Sequence, residues 1–101
     1  MRDPQILESV KATLALLVVA NPGRAIEVRI TPYAAVQCGD GPTHTRGTPP
    51  NVIEMDADTW LALARGTTNW AAAMQTGKIN ASGARADLSE YLPLAPNRIT
   101  P

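Results

Sequence analysis

The segment from Asn51 to Gly83 constrains the fold more than any other part of the chain, because its element boundaries carry local signals. Asp56 can accept hydrogen bonds from free backbone N–H groups and so begin a helix, and Gly66 suits the left-handed position after a helix end. Asn69 repeats the first signal for a shorter helix, which ends at Gly77. The segment therefore predicts strand, helix, short helix and strand.

Apolar side chains in these two helices recur at positions that share one helix face. They are Trp60, Leu63 and Ala64 in the first helix, and Trp70, Ala73 and Met74 in the second. A stripe at this spacing is typical of a helix that packs inward. We therefore expect both helices to turn these faces toward a sheet.

The N-terminal segment, from Met1 to Gly23, predicts one long helix. Asp3 is a suitable N-cap, and Pro4 fits the first helical position, where its missing N–H is no loss. The apolar run from Ala12 to Ala20 is less than half of the roughly 20 residues that a membrane-spanning helix needs. Acidic residues near the start argue against a secretory signal. We expect a helix that covers the sheet and no transmembrane segment.

Alternating or apolar runs predict about five strands. They lie at Arg24–Ile30, Tyr33–Cys38, Thr43–Arg46, Val52–Met55 and Lys78–Ser82. The second run is the most uniformly apolar, which favours a central place in the sheet, and the short connections make the first three strands antiparallel neighbours. Apolar spacing predicts a last helix over Ala84–Leu92. The sum is an α+β fold with a mixed or antiparallel sheet of about five strands, covered by helices.

Composition narrows the class of protein. The 101 residues suit a single domain over 1–101, with residues 1–3 and 95–101 frayed. Nine basic residues balance nine acidic ones, and no basic stripe suggests a nucleic-acid partner. A single cysteine, Cys38, excludes an internal disulfide and fits a cytoplasmic protein.

Two motifs make the sequence similar to a known family. Asp56–Gly66 reads D-x-x-T-W-L-x-L-x-x-G, and Trp70–Ile79 reads W-x-x-A-x-x-x-G-K-I. Both resemble the sterol carrier protein family of lipid-transfer domains. The continuation ASGARADLSEYL is similar to the bacterial, actinobacterial branch and to the C-terminal domain of mycothiol-dependent maleylpyruvate isomerase-like proteins. The resemblance implies a five-stranded sheet under helices, with an apolar tunnel between the layers, and neither an enzyme nor a cofactor.

Two sets of residues are candidates for binding. Apolar walls for a fatty acyl or isoprenoid ligand would come from Trp60, Leu61, Leu63, Trp70, Met74, Tyr91 and Leu92, although side chains at helical spacing are also ordinary core residues. His44 and Arg46 would share one face of a strand and could contact a polar head group or a protein partner. An empty cavity of ~300 Å3 would cost on the order of 7 kcal/mol. We therefore expect the cavity to be small, filled by ligand, or completed by a second subunit.

Chemistry on the loop after the second strand is a weaker hypothesis. Cys38, Asp40 and His44 lie close in sequence, but their spacing matches no recurring zinc site, and a nucleophilic cysteine would need an orienting group and an oxyanion hole. We expect no catalytic residue, no metal and no cofactor. Two functions stay open: a small cytoplasmic lipid-binding protein, and a non-catalytic interaction or accessory module, with a homodimer or another protein as partner.

Overall fold

A computed structural model describes residues 3–41 and 51–94. The helices are α1 (Pro4–Ala20), α2 (Ala57–Arg65) and α3 (Trp70–Gln75). The strands are β1 (Ile26–Thr31), β2 (Ala34–Cys38), β3 (Val52–Asp56) and β4 (Ile79–Ser82), and a short 3-10 turn follows at Ser89–Tyr91. The predicted α+β class is confirmed.

The described strands form one mixed sheet in the order β2-β1-β3-β4. β1 pairs antiparallel with β2, so that Val28 faces Val36, and parallel with β3, so that Val28 faces Ile53. β3 pairs antiparallel with β4, with Met55 opposite Ile79. The described residues therefore hold four strands. The predicted strand at Thr43–Arg46 lies outside them, and five strands are not confirmed.

α1 begins and ends as its sequence predicts. The Asp3 carboxylate accepts a hydrogen bond from the backbone N–H of Gln5 at 2.8 Å, and Pro4 takes the first helical position. Asn21 closes the helix by donating its backbone N–H to the carbonyl oxygen of Leu17. Within residues 3–41 and 51–94, no helix is long and apolar enough to cross a membrane.

The signals that bound α2 and α3 are confirmed as well. The Asp56 carboxylate accepts the backbone N–H of Thr59 at 2.8 Å, and Gly66 ends α2 with a left-handed φ of 83°. The side-chain oxygen of Asn69 accepts the N–H of Ala72 at 2.8 Å and so begins α3. These caps satisfy N–H groups that a helix start leaves without partners. They fix where each helix turns away from the sheet.

Side chains fill the layer between the sheet and the helices. One face of the sheet is apolar because alternate residues of β1 and β3 point to it. The fully buried large side chains include Leu14, Leu17, Val28, Ile30, Ile53, Trp60 and Leu63. The opposite face is polar, and there Glu27 accepts a hydrogen bond from the guanidinium of Arg29 at 2.6 Å. Trp60 of the proposed ligand walls therefore belongs to the packed core, and Leu63 is nearly covered as well, at 1% exposed.

One predicted feature is wrong and another stays a prediction. β2 lies at one end of the described sheet, and the strand predicted at Thr43–Arg46, which would follow it, lies outside the described residues, so a central place for β2 stays a prediction. The helix predicted over Ala84–Leu92 is reduced to the 3-10 turn Ser89–Tyr91. Side chains withdraw backbone N–H groups from a helical pattern there: Asn51 binds the N–H of Arg85, and Asp87 binds that of Ser89.

Candidate functional site

An apolar groove of about 420 Å3 lies between the α2–α3 corner and the segment that carries the 3-10 turn. Its lining residues are Leu63, Thr68, Asn69, Trp70, Ala71, Ser89, Leu92 and Pro93. Trp70 and Leu92 are half-buried, so part of each side chain is available to a ligand. The volume falls in the range of small-molecule pockets, which are mostly apolar with a few polar groups.

Local hydrogen bonds hold both walls of the groove. On the corner side, Thr67 donates its hydroxyl to the carbonyl oxygen of Ala62 at 3.1 Å, just after the left-handed Gly66. On the other side, the backbone N–H of Leu94 donates to the carbonyl oxygen of Ala64 at 3.1 Å. Leu94 is also buried, so the segment that holds Leu92 is fastened to the end of α2.

A polar cleft of about 270 Å3 lies on the other side of the 3-10 turn. Its lining residues are Ala25, Ile26, Asp40, Arg85, Asp87, Ser89, Glu90 and Tyr91. The Arg85 Nη1 donates to the carbonyl oxygen of Asp40 at 3.5 Å, and a Cβ on Gly41 would overlap the guanidinium. The glycine at this position therefore leaves room for the arginine to lie across the loop.

Asn51 joins three segments beneath this cleft. Its amide is buried, with 4% of the residue exposed. The side-chain nitrogen donates to the carbonyl oxygen of Ala25 at 2.8 Å, and the side-chain oxygen accepts the N–H of Arg85 at 2.8 Å. Sequence reasoning missed both Asn51 and Arg85 as site residues. Asn51 contacts Ala25 and Arg85, which lie 26 and 34 positions away in the sequence, and no local pattern reveals such contacts.

The structure brings together only some of the predicted ligand-binding residues. Leu63, Trp70 and Leu92 line the apolar groove, while Tyr91 lines the polar cleft. Trp60 and Leu61 are buried in the core.

The three remaining predicted positions are Met74, His44 and Arg46. Met74 is 42% exposed on α3 and does not line the groove, so its predicted inward orientation is wrong. The α3 face that packs inward contains Ala73, which is buried. His44 and Arg46 lie outside the described residues.

Cys38 has the surroundings of a structural thiol. Its side chain is fully buried at the end of β2, and burial raises its pKa from 9.0 to about 11, because desolvation disfavours the thiolate. A reactive cysteine needs the opposite shift. No group of three or more His, Cys, Asp or Glu residues in the described parts of the chain could hold a metal ion.

The mixed sheet and the covering helices define a small α+β domain with an apolar groove at its surface. Residues 2–94 match the model of the family described as bacterial SCP ortholog. The chain therefore belongs to this bacterial family of sterol carrier protein-like proteins, and the resemblance seen in its motifs is confirmed. A search of curated proteins found no match.

Proposed function

We propose that this protein binds a lipid or another single-chain hydrophobic molecule in the groove lined by Leu63, Trp70, Leu92 and Pro93, and that it acts without catalysis, a cofactor or a metal. The observation that carries the proposal is the half-buried Trp70 in an apolar groove of about 420 Å3. Family membership supports it, because the family is of the lipid-carrier type.

The position of the groove explains how the protein can be stable without ligand. Between α1, α2 and the sheet, buried side chains such as Leu17 and Trp60 occupy the space that a tunnel would need. An enclosed dry tunnel would reduce stability in proportion to its volume. A groove at the surface fills with water when no ligand is bound, so it avoids most of that cost. We propose that a fatty acyl or isoprenoid chain displaces this water.

Saturated fatty acids of increasing chain length test the proposal by isothermal titration. Each methylene that enters the groove should contribute about 0.8 kcal/mol, roughly a fourfold gain in affinity, until the groove is full. Trp70→Ala should weaken binding. Met74→Ala is the matched control, because Met74 lies exposed on the same helix outside the groove, and it should bind as the unmodified protein does. Affinity that does not depend on chain length, or that Trp70→Ala leaves unchanged, would contradict a ligand in this groove.

A second candidate is an accessory module that pairs with another copy of the chain. The observation that favours it is the exposure of two large apolar side chains on α1, Val19 at 79% and Leu16 at 38%. They lie three residues apart and therefore on one helix face, and a two-fold axis would set identical faces against each other. Sedimentation of the unmodified protein and of Val19→Ser tests this function. A dimer lost in the variant supports it, and a monomer at all concentrations rules it out.

A further inference from the structure

The apolar groove and the polar cleft are adjacent. Ser89 lines both of them, and the 3-10 turn Ser89–Tyr91 forms the wall between them. At its end, Tyr91 faces the polar cleft while the next residue, Leu92, faces the groove. A turn of this kind rises only about 2 Å per residue. One elongated molecule can therefore occupy both sites by passing over the turn.

The polar cleft contains opposite charges that do not pair with each other. Asp40, Asp87 and Glu90 line it together with Arg85. Within residues 3–41 and 51–94, the charged side chains that form an ion pair closer than 4.0 Å are Glu27 and Arg29, which lie on the sheet and not in the cleft.

Hydrogen bonds among the described residues use only a few of the charged atoms in the cleft. The Arg85 side chain uses Nη1 for the carbonyl oxygen of Asp40, and the Asp87 carboxylate uses Oδ1 for the N–H of Ser89. The guanidinium of Arg85 has further N–H donors in a planar fork, which suits a phosphate or a carboxylate. The cleft thus offers acceptors for a cation and donors for an anion.

We propose that the polar cleft binds a zwitterionic head group whose chain lies in the apolar groove. This inference rests on the proposed function. The ammonium part of the head lies against the carboxylates of Asp40, Asp87 and Glu90, and its anionic part accepts hydrogen bonds from Arg85. Three carboxylates and one guanidinium leave the cleft with two net negative charges. A head that carries only an anion would meet repulsion there, so a free fatty acid is a poorer ligand than a zwitterionic amphiphile of equal chain length.

Three amphiphiles with the same chain separate the contribution of the head from that of the chain. Isothermal titration below the critical micelle concentration would compare dodecylphosphocholine, dodecyltrimethylammonium and tridecanoate. The chain contribution cancels because all three carry a dodecyl chain on the charged group. We expect dodecylphosphocholine to bind most tightly and tridecanoate most weakly, with roughly a two- to fivefold change in affinity for each exposed ion pair gained or lost.

Single substitutions test whether the head group binds in this cleft. Arg85→Gln should weaken dodecylphosphocholine by roughly two- to fivefold, and it should leave dodecyltrimethylammonium unchanged or slightly tighter. Arg65→Gln is the matched control, because Arg65 is exposed at the end of α2 and lines neither site. It should change neither ligand. Circular dichroism of each variant would check that the fold is retained, and the comparison of the three amphiphiles stands without any variant.

The outcomes separate this inference from the proposed function. Equal affinities for the three amphiphiles, or tightest binding of tridecanoate or of dodecyltrimethylammonium, would overturn the zwitterionic head and leave the groove as a chain-binding site. Unchanged dodecylphosphocholine binding in Arg85→Gln would also overturn it. Binding of none of the three would count against the groove itself, and the proposed function would fall with it.

Discussion

The indole nitrogen of Trp60 donates a hydrogen bond of 2.8 Å to the hydroxyl oxygen of Thr13, although the two residues are 47 positions apart. Trp60 is fully buried on α2, and Thr13 lies on α1, so the bond joins the two helices that cover the sheet. A buried indole N–H needs an acceptor. The hydroxyl of Thr13 supplies it while also donating to the carbonyl oxygen of Ser9 at 2.7 Å.

Thr13→Val should therefore destabilise the protein by about 1–3 kcal/mol, because it leaves the Trp60 N–H buried without a partner. Thr13→Ser is the matched variant, since it keeps the hydroxyl, and it should retain most of the stability. Urea unfolding followed by circular dichroism would measure both. Equal stability of the valine and serine variants would show that the hydrogen bond contributes nothing.

Asp56 should make stability depend on pH in the acidic range. The backbone N–H of Thr59 and then its side chain hold the pKa of Asp56 below the ordinary value of 3.8, with a smaller effect of Lys78. A carboxylate whose pKa is lower in the folded state stabilises the fold at pH values above its unfolded-state pKa. That stabilisation is lost as the pH falls through its folded-state pKa. Asp56→Ala should therefore cost about 1 kcal/mol at neutral pH, the usual magnitude for a lost N-cap, and less below about pH 4.

The control for this measurement is Asp58→Ala, which removes a carboxylate from the first turn of α2 but leaves the capping residue in place. Its cost should be smaller than that of Asp56→Ala at neutral pH. Urea unfolding at a series of pH values would compare the two variants. A constant cost of Asp56→Ala from neutral to strongly acidic pH would exclude a contribution from its ionised carboxylate.

Cys38 should react slowly with iodoacetamide as long as the protein is folded. The thiol is buried, and its pKa of about 11 leaves very little thiolate near neutral pH. Labelling followed by mass spectrometry should show little modification in buffer and rapid modification in urea. Because folding raises this pKa from 9.0, Cys38 also reduces stability as pH rises from 9.0 toward 11. Fast labelling of the native protein would contradict this prediction and would support a catalytic role for this cysteine.

Two glycine substitutions should separate backbone strain from steric overlap. Gly77 has a φ of 74° and nothing within 4 Å of the position that a Cβ would take. Gly77→Ala should therefore cost only the left-handed conformation, about 1–2 kcal/mol. Gly23 has a φ of 139°, and a Cβ there would overlap the carbonyl group of Gly39. Gly23→Ala should cost clearly more, and thermal unfolding would contradict this explanation if the two variants melted alike.

Sequence alone predicts the elements of this fold that are bounded by local chemistry. Asp3, Asp56 and Asn69 cap helices as expected, since a side chain next to a free N–H needs no distant partner. The segment after β4 fails for the opposite reason. Leu88 and Leu92 have helical spacing, but the side chain of Asn51 reaches the backbone of this segment from 34 positions away and holds it in another shape.

The candidate site was predictable to a similar degree. Trp70 was predicted as a wall residue because it lies on the apolar face of its helix, and the structure places it half-buried at the groove. Met74 lies on the same helix but is not on the face that reaches the core. That face is set by the direction in which α3 leaves the α2–α3 corner, and the spacing of apolar residues does not predict this direction. The role of Arg85 in the cleft could be identified only from the structure, because Asp40, one of its neighbours there, comes from a different part of the chain.

The different surroundings of Trp60 and Trp70 give the molecule two separate optical signals. Trp60 is sealed and hydrogen-bonded, so its emission should be blue-shifted, inaccessible to acrylamide and sensitive only to loss of the fold. Trp70 is half-buried at the groove, so a quencher can reach it and a bound chain would shield it. Binding and unfolding can thus be followed in the same unlabelled sample, one by the quenchable fraction of the emission and the other by the protected fraction.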